Sequence, residues 1–232
     1  MQTPKDQEVV AWIAALGAAG AEHVMARFAM GRSWAYARLS KLVADGLLEQ
    51  RLILYRQPGL YVATRDGLRW CGLERLGVFR VSPGGFNHAW EVARVAAALA
   101  IHDRGARVVS DRELRMAEVD ERRLIASVQL GELPGGRPAF HRPDLAVLGS
   151  TGVVAVEVEL TVKAPARLRS ICRAYARARH LDAVVYLAQQ APARAVERAI
   201  GEVRAEDRIR VLAADRPELL LAAARGGVLD VS

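Results

Sequence analysis

Two glutamates stand inside the otherwise aliphatic run Val153–Leu160. An apolar run of this length is typical of a strand buried in a sheet. Because side chains alternate along a strand, Glu157 and Glu159 share one face. A buried carboxylate is costly unless it is paired, hydrogen-bonded or bound to a metal. The run therefore predicts a β-sheet that either holds a polar site or exposes this face to solvent.

A third carboxylate, Asp144, opens the β-rich run that precedes this one. If the two runs form neighbouring strands, Asp144 lies beside Glu157, and Lys163 follows just beyond the second strand. Carboxylates that converge in this way can hold Mg²⁺, which acidifies a bound water and polarises a phosphodiester. We therefore predict Asp144 and Glu157 as metal ligands and Mg²⁺ as cofactor if the site is active. The alternative is that the acids pair with cations at Arg142, Lys163 or Arg167.

Around these runs, the second part of the chain alternates helical and β-rich segments. The spacing predicts helices over 88–102, 165–180, 192–203 and 217–225, and strands over 106–110 (running on to Leu114), 144–148, 153–161, 181–188 and 208–213. The polar stretch 116–138 predicts a long hairpin or loop. The order of helix, three strands, helix, strand, helix and strand predicts a mixed α/β domain.

The first part of the chain follows a different pattern. Helical spacing predicts helices over 7–16 and 21–30 and a third helix that Ser33 caps and Gly46 ends. Two β-rich segments follow, over 47–54 and 60–63. Thr64 then caps a fourth helix that runs to about Leu73. This order is typical of a winged helix-turn-helix. Residues 78–85 have the composition of a linker. We predict a winged helix over 1–80 and the α/β domain over 86–232.

The third helix has a polar face that cannot lie in a core. Its apolar positions are Ala35, Leu39, Leu42 and Val43. A helix exposed on its other side fits the major groove of DNA, with the hairpin at a minor groove or the phosphates. The candidate DNA contacts are Arg32, Ser33, Trp34, Arg38, Ser40, Lys41, Arg51 and Arg56. Alternatively, Trp34 and Tyr36 pack on a partner or on the second domain.

Charge and composition narrow the classes of protein. The 33 basic and 26 acidic residues give a net charge of +7, which favours an anionic partner such as nucleic acid. The chain shows no long uncharged apolar stretch and no apolar leader, so we expect a cytoplasmic protein without a membrane span. Cys71 and Cys172 are far apart, which argues against a structural zinc or a disulfide scaffold.

The second part resembles the PD-(D/E)xK nuclease-like superfamily, whose restriction-endonuclease-like core has the order α-β-β-β-α-β. The superfamily motif is Pro-Asp, a spacer and (Asp/Glu)-x-Lys, and the Pro-Asp ending at Asp144 and the acid at Glu157 match it. Glu159 stands where lysine is expected, although some restriction enzymes of this superfamily use Glu-x-Glu. The resemblance implies catalytic roles for these three acids, an ammonium from Lys163, and an additional acid at Glu91.

The whole chain is similar to the replication-relaxation family of actinobacterial plasmids and integrated elements. The likeness covers about residues 5–213. Its most specific part is the run Glu157–Leu168, which reads Glu-Val-Glu-Leu-Thr-Val-Lys-Ala-Pro-Ala-Arg-Leu. The resemblance implies a role in plasmid replication, mobilisation or DNA relaxation.

Three functions are therefore open. The first is a DNA-binding protein of a plasmid or mobile element whose nuclease-like domain dimerises, contacts DNA or recruits replication or conjugation proteins. The second is a Mg²⁺-dependent endonuclease or nickase. The third is a protein-interaction adaptor that does not bind DNA. We favour the first, with double-stranded DNA as partner and a homodimer as the assembly, as in many helix-turn-helix proteins.

Overall fold

The computed structural model describes residues 2–102, 105–150 and 152–224 and has the mixed α/β class predicted from the sequence. The chain forms two compact units, Met1–Ile101 and His102–Ser232. This division lies beyond the predicted linker at 78–85, so the helix assigned to the second domain falls in the first unit. Each unit is described by itself.

The first unit combines helices with a small antiparallel sheet. Its elements are α1 (Pro4–Leu16), β1 (Ala19–Gly20), α2 (Ala21–Phe28), α3 (Arg32–Ala44), β2 (Leu48–Arg51), β3 (Leu60–Ala63), α4 (Arg65–Trp70) and α5 (Phe86–His102). The strands pair in the order β1-β3-β2. Buried aliphatic side chains of α1, α3 and the sheet form its main core, which includes Val10, Ile13, Leu39 and Leu42.

The ends of the helices follow from local chemistry. Thr3 and Asp6 form a reciprocal capping box at the start of α1, which satisfies two of the free N–H groups there. The prediction that Ser33 caps α3 is wrong, because Gly31 occupies the N-cap and Ser33 already lies in the first turn. The prediction that Thr64 caps α4 is confirmed, since its hydroxyl accepts from the Gly67 amide at 3.0 Å.

Helix α5 belongs to the first unit because its apolar face completes that core. Ala93 is buried in the main cluster, and Phe86 packs with Leu60 in a second cluster. A Cβ added at Gly20 would lie 2.6 Å from the ring of Trp90, so only glycine allows this approach. Hydrophobic packing, which the linker-like composition of 78–85 does not reveal, sets the boundary.

The second unit is built on a five-stranded sheet. Its elements are β4 (Arg107–Ser110), α6 (Asp111–Asp120), β5 (Val128–Glu132), β6 (Pro138–His141), β7 (Leu145–Gly149), β8 (Gly152–Glu159), α7 (Pro165–Arg177), β9 (Ala183–Ala188), α8 (Gln190–Val203), β10 (Ile209–Ala213) and α9 (Leu220–Ala224). The strand order is β10-β9-β8-β7-β4. Within this sheet, β7 pairs antiparallel with both β4 and β8. The strands β8, β9 and β10 run parallel.

Two segments of the second unit differ from the predictions. The strand expected to run on to Leu114 stops at Ser110, because Ser110 and Glu113 form a capping box that starts α6. The stretch expected as a long hairpin or loop contains the end of α6 and then the hairpin β5–β6. The last predicted helix is α9, and its expected end at Arg225 lies outside the described residues.

Candidate functional site

Four residues follow one another across the sheet of the second unit. The ladder pairs Leu145 with Val156, so the preceding residue Asp144 lies opposite Glu157. Asp111 continues the row on the other side, where its amide donates to the Asp144 carbonyl at 3.1 Å. Tyr186 pairs directly with Glu157 on the parallel neighbour β9. We call Asp111, Asp144, Glu157 and Tyr186 the carboxylate row.

Glu157 lies at the centre of this row and is only 3% exposed. The Tyr175 hydroxyl donates to its Oε1 at 2.5 Å, and His141 Nε2 lies 2.6 Å from the same oxygen. Burial raises the pKa of Tyr175, and the nearby charge of Glu157 raises it further. The tyrosine therefore stays a neutral donor, and Glu157 is held by side chains from β6 and α7.

Asp144 and Asp111 occupy the edge of the row. Asp144 Oδ2 accepts from the Val158 amide at 2.8 Å, which fixes this carboxylate against β8. Burial raises the pKa of Asp111, and the charge of Asp144 adds to this shift, while Arg115 and Arg112 oppose it. The charge of Asp144 therefore disfavours the ionised form of Asp111.

The remaining predicted acids have their own cationic partners. Glu159 is 3% exposed and accepts an ion-paired hydrogen bond from Lys163, which follows β8. Glu91 lies on α5 in the first unit, where its carboxylate is 2.8 Å from the Arg94 guanidinium. The structure thus brings Asp144, Glu157, Glu159 and Lys163 to one part of the second unit, and the carboxylate row consists of second-unit residues only.

A divalent cation at this site would need free carboxylate oxygens as ligands. One oxygen of Glu157, one of Asp144 and one of Glu159 already accept hydrogen bonds from protein donors. Within residues 2–102, 105–150 and 152–224, no group of three His, Cys, Asp or Glu side chains has an arrangement suited to a metal ion. One oxygen of each of these three carboxylates is therefore already held by a protein donor.

Several polar residues of this region escaped the sequence analysis. The buried Tyr186 hydroxyl has no hydrogen-bond partner among the described residues. Glu118, only 6% exposed, accepts from the amides of Ile125, Ala126 and Ser127 at 2.9–3.1 Å and from the Ser127 hydroxyl at 2.5 Å. Burial alone would raise the pKa of Glu118, but these hydrogen bonds lower it overall. Tyr186 meets Glu157 only when β8 and β9 pair, and Glu118 meets its donors only when the loop 125–127 folds back on α6.

The outer face of α3 in the first unit is open to solvent. Trp34 is 47% exposed and Tyr36 is 44% exposed, whereas Ala35, Leu39 and Leu42 are buried. The other exposed residues of this face are polar or small, namely Arg32, Ser33, Ala37 and Ser40. The division into inner and outer faces is therefore the one expected from helical spacing.

Arg38 is the exception on this face. Its Nε lies 2.9 Å from Oδ1 of Asp6, which is 1% exposed, and its Nη2 donates to the Thr3 hydroxyl at 3.0 Å. The guanidinium also lies over the ring of Trp34, 4.6 Å from its centroid. Arg38 therefore anchors α1 against α3, and its contact with DNA stays a prediction.

The other cations of this surface fall into two groups. Lys41 pairs with Asp45 and Arg51 pairs with Glu49, each at 2.7 Å. Arg32 lies over Tyr36, and Arg56 lies over Tyr55 on the exposed β2–β3 turn. Among the described residues, no carboxylate pairs with Arg32 or Arg56, so both charges remain available to an anion.

Comparison of the chain with protein-family models, with curated proteins and with solved structures finds no match. None of the helices in the described part of the chain has the length and apolar character needed to cross a bilayer.

Proposed function

We propose that the protein is a cytoplasmic DNA-binding protein whose first unit is a winged helix that reads double-stranded DNA. The observation that carries this proposal is the open outer face of α3 next to a hairpin, with uncompensated arginines at Arg32 and Arg56. A helix that presents polar and aromatic side chains in this way suits the major groove, and a nearby cationic turn suits phosphates.

The order of elements supports the same proposal. The sequence α1-β1-α2-α3-β2-β3, with strands paired as β1-β3-β2, is the order in which a winged helix places its recognition helix and its wing. In that arrangement α3 is the recognition helix and the β2–β3 hairpin is the wing. Ser33, Trp34 and Ser40 then face base edges, while Arg32 and Arg56 face phosphates, with Lys41 and Arg51 beside them.

The second unit has a supporting role in this proposal. It dimerises the protein, contacts DNA or recruits a replication or conjugation protein of a plasmid or mobile element, as the resemblance to the replication-relaxation family implies. The polar groups of the carboxylate row support this role, because protein donors already hold Glu157 and Asp144.

The DNA-binding proposal is tested with a double variant, Arg32→Gln with Arg56→Gln, in the full chain. Anisotropy of a labelled duplex of about 30 base pairs is measured from about 50 to 200 mM salt. Each lost phosphate contact should lower the slope of log K against log salt by about 0.9, so the pair should lower it by about 2. Affinity should fall on the order of tenfold or more.

The matched control is the double variant Arg194→Gln with Arg198→Gln, on the exposed face of α8. It removes the same charge from a helix that also carries the acids Glu197 and Glu202. If the first pair behaves like this control, the assignment of α3 and the hairpin to DNA is wrong. If the unaltered protein shows no duplex affinity at the lowest salt, the adaptor function replaces it.

A metal-dependent endonuclease or nickase is the second candidate function. The observation that favours it is the convergence of Asp144, Glu157 and Glu159 on neighbouring strands beside Lys163. Its test is incubation of supercoiled plasmid with the protein and Mg²⁺ or Mn²⁺. Nicking that Asp144→Asn abolishes would establish the enzyme, and equal background from both proteins would exclude it.

A further inference from the structure

A cleft on the second unit is lined by several arginines, and none of them belongs to the carboxylate row. It has a volume of about 470 Å³ and lies between the C-terminal half of α7 and the strand β5. Buried Val128 and Ala178 line it, and Arg173, Arg177 and Arg179 are exposed around it.

Among the described residues, the arginines of this cleft have no acidic partner. In the described ranges 2–102, 105–150 and 152–224, no carboxylate forms an ion pair with Arg173, Arg177 or Arg179. The sequence of α7 also contains no acidic residue, whereas that of α8 contains two arginines and two glutamates. The one described ion pair of α7 joins Arg169 to Glu202 at 3.1 Å, away from the cleft lining. The cleft therefore holds uncompensated charge, which favours an anion.

The geometry of these charges favours an extended anion over a compact one. Arg173 and Arg177 are four residues apart, so they project from the same side of α7 about 6 Å apart along its axis. Arg179 continues the series beyond the helix end. The guanidinium groups are exposed, as expected for contacts that release counterions from a polyanion. The C-terminal end of a helix offers no free N–H group, so the side chains alone must hold the anion.

We propose that this cleft binds the phosphate backbone of double-stranded DNA, through Arg173, Arg177 and Arg179, as a second contact separate from α3 and the hairpin. The proposal rests on the proposed function for its choice of DNA as the polyanion. It gives the second unit a sequence-independent share of the affinity, because phosphate contacts position a protein without reading bases.

The test uses the full chain and the double variant Arg173→Gln with Arg177→Gln, measured as above on two duplexes of unrelated sequence. The salt slope should fall by about 2, and affinity should fall on the order of tenfold for both duplexes. The α8 control, Arg194→Gln with Arg198→Gln, should change neither. The variant Arg173→Lys with Arg177→Lys should keep the salt slope, because it keeps both charges.

The outcomes separate this proposal from the proposed function. An effect of the α7 pair, with none from Arg32→Gln and Arg56→Gln, supports the cleft and overturns the role of α3. The reverse result overturns the cleft and leaves α3 standing. Tripolyphosphate titrated calorimetrically without DNA provides a further arm. If its binding is lost in the α7 pair while duplex affinity is unchanged, the cleft holds a free polyphosphate and the DNA assignment falls.

Discussion

The arginines beside α3 and the buried acids of the second unit are held in different ways. In the first unit, Arg32 and Arg56 are exposed, and each guanidinium lies over a tyrosine ring. In the second unit, Glu157 and Glu118 are buried and accept several hydrogen bonds each. Exposed groups cost little to leave unpaired and are free to bind, whereas buried groups must be satisfied within the fold. The difference separates residues that act on a ligand from residues that maintain the structure.

The largest test of this difference is Glu118→Ala. Removing the carboxylate leaves three buried amides and the Ser127 hydroxyl without their acceptor. The second unit should lose about 3–5 kcal/mol of stability, measured by urea unfolding followed by circular dichroism. The neighbouring Glu121→Ala removes an exposed carboxylate that pairs with the exposed Arg123, and should change stability by less than about 1 kcal/mol. Equal losses would contradict the distinction.

A buried histidine makes part of the first unit resemble the second. His23 is 3% exposed, and its Nδ1 accepts from the Gly20 amide at 3.0 Å. Burial lowers the pKa of His23 from 6.5 to about 4, and the charge of Arg94 adds to this shift. The unfolded chain therefore binds the proton first, and stability is lost as the pH falls from about 6.5 to 4.

The loss at His23 should reach about 3 kcal/mol by pH 4. His23→Gln should make the pH dependence over this interval shallower by that amount. Fluorescence reports on this unit selectively, because all four tryptophans lie between Trp12 and Trp90. A variant with the same pH dependence as the unaltered protein would show that His23 binds its proton equally well in the folded and unfolded chain.

Arg38→Ala tests the one cation of the α3 face that is anchored. The buried carboxylate of Asp6 loses its guanidinium partner, and the first unit should lose about 2 kcal/mol. The control is Arg69→Ala, which breaks an exposed pair with Asp66 and should cost less than about 0.5 kcal/mol. Losses of the same size in both variants would show that Arg38 contributes no more than an exposed ion pair and is not an anchor of α1.

Lys41→Ala should have the smallest effect on stability. Lys41 pairs with Asp45 one helical turn away, and such pairs contribute only about 0.3–0.5 kcal/mol. Duplex affinity should nevertheless fall several-fold, with a salt slope lower by about 1, if Lys41 reaches a phosphate. Unfolding and anisotropy measured on the same samples decide this, and a destabilised variant with unchanged affinity would reverse the expectation.

Local rules predicted most of the elements but not all of their ends. Alternation on β8 placed Glu157 and Glu159 on one face, and helical spacing separated the inner and outer residues of α3. Strand register, which depends on residues far apart in sequence, determined that Asp111 and Tyr186 join the row. The capping box that starts α6 is readable in the sequence as Ser110 followed by Glu113. This signal ends the strand at Ser110, although the β-rich composition alone predicts a strand as far as Leu114.

Charge pairing was the least predictable part of the site. Exposure of Arg38 follows from helical spacing, yet Asp6 of another helix captures it. The same holds for Glu157, whose partners His141 and Tyr175 come from two different elements. A sequence shows which residues can ionise. The partner of each depends on tertiary contacts, which the helical and strand periodicity of the sequence does not predict.

The attachment of α5 to the first core has a practical consequence for dissecting the protein. A fragment ending at residue 85 would lack Phe86 and Trp90, and would leave Gly20 and Leu60 facing water. Such a fragment should aggregate or be digested quickly by proteases, since it exposes an apolar surface that the intact chain covers. A fragment ending at residue 101 keeps these side chains and is the better length for isolating the first unit.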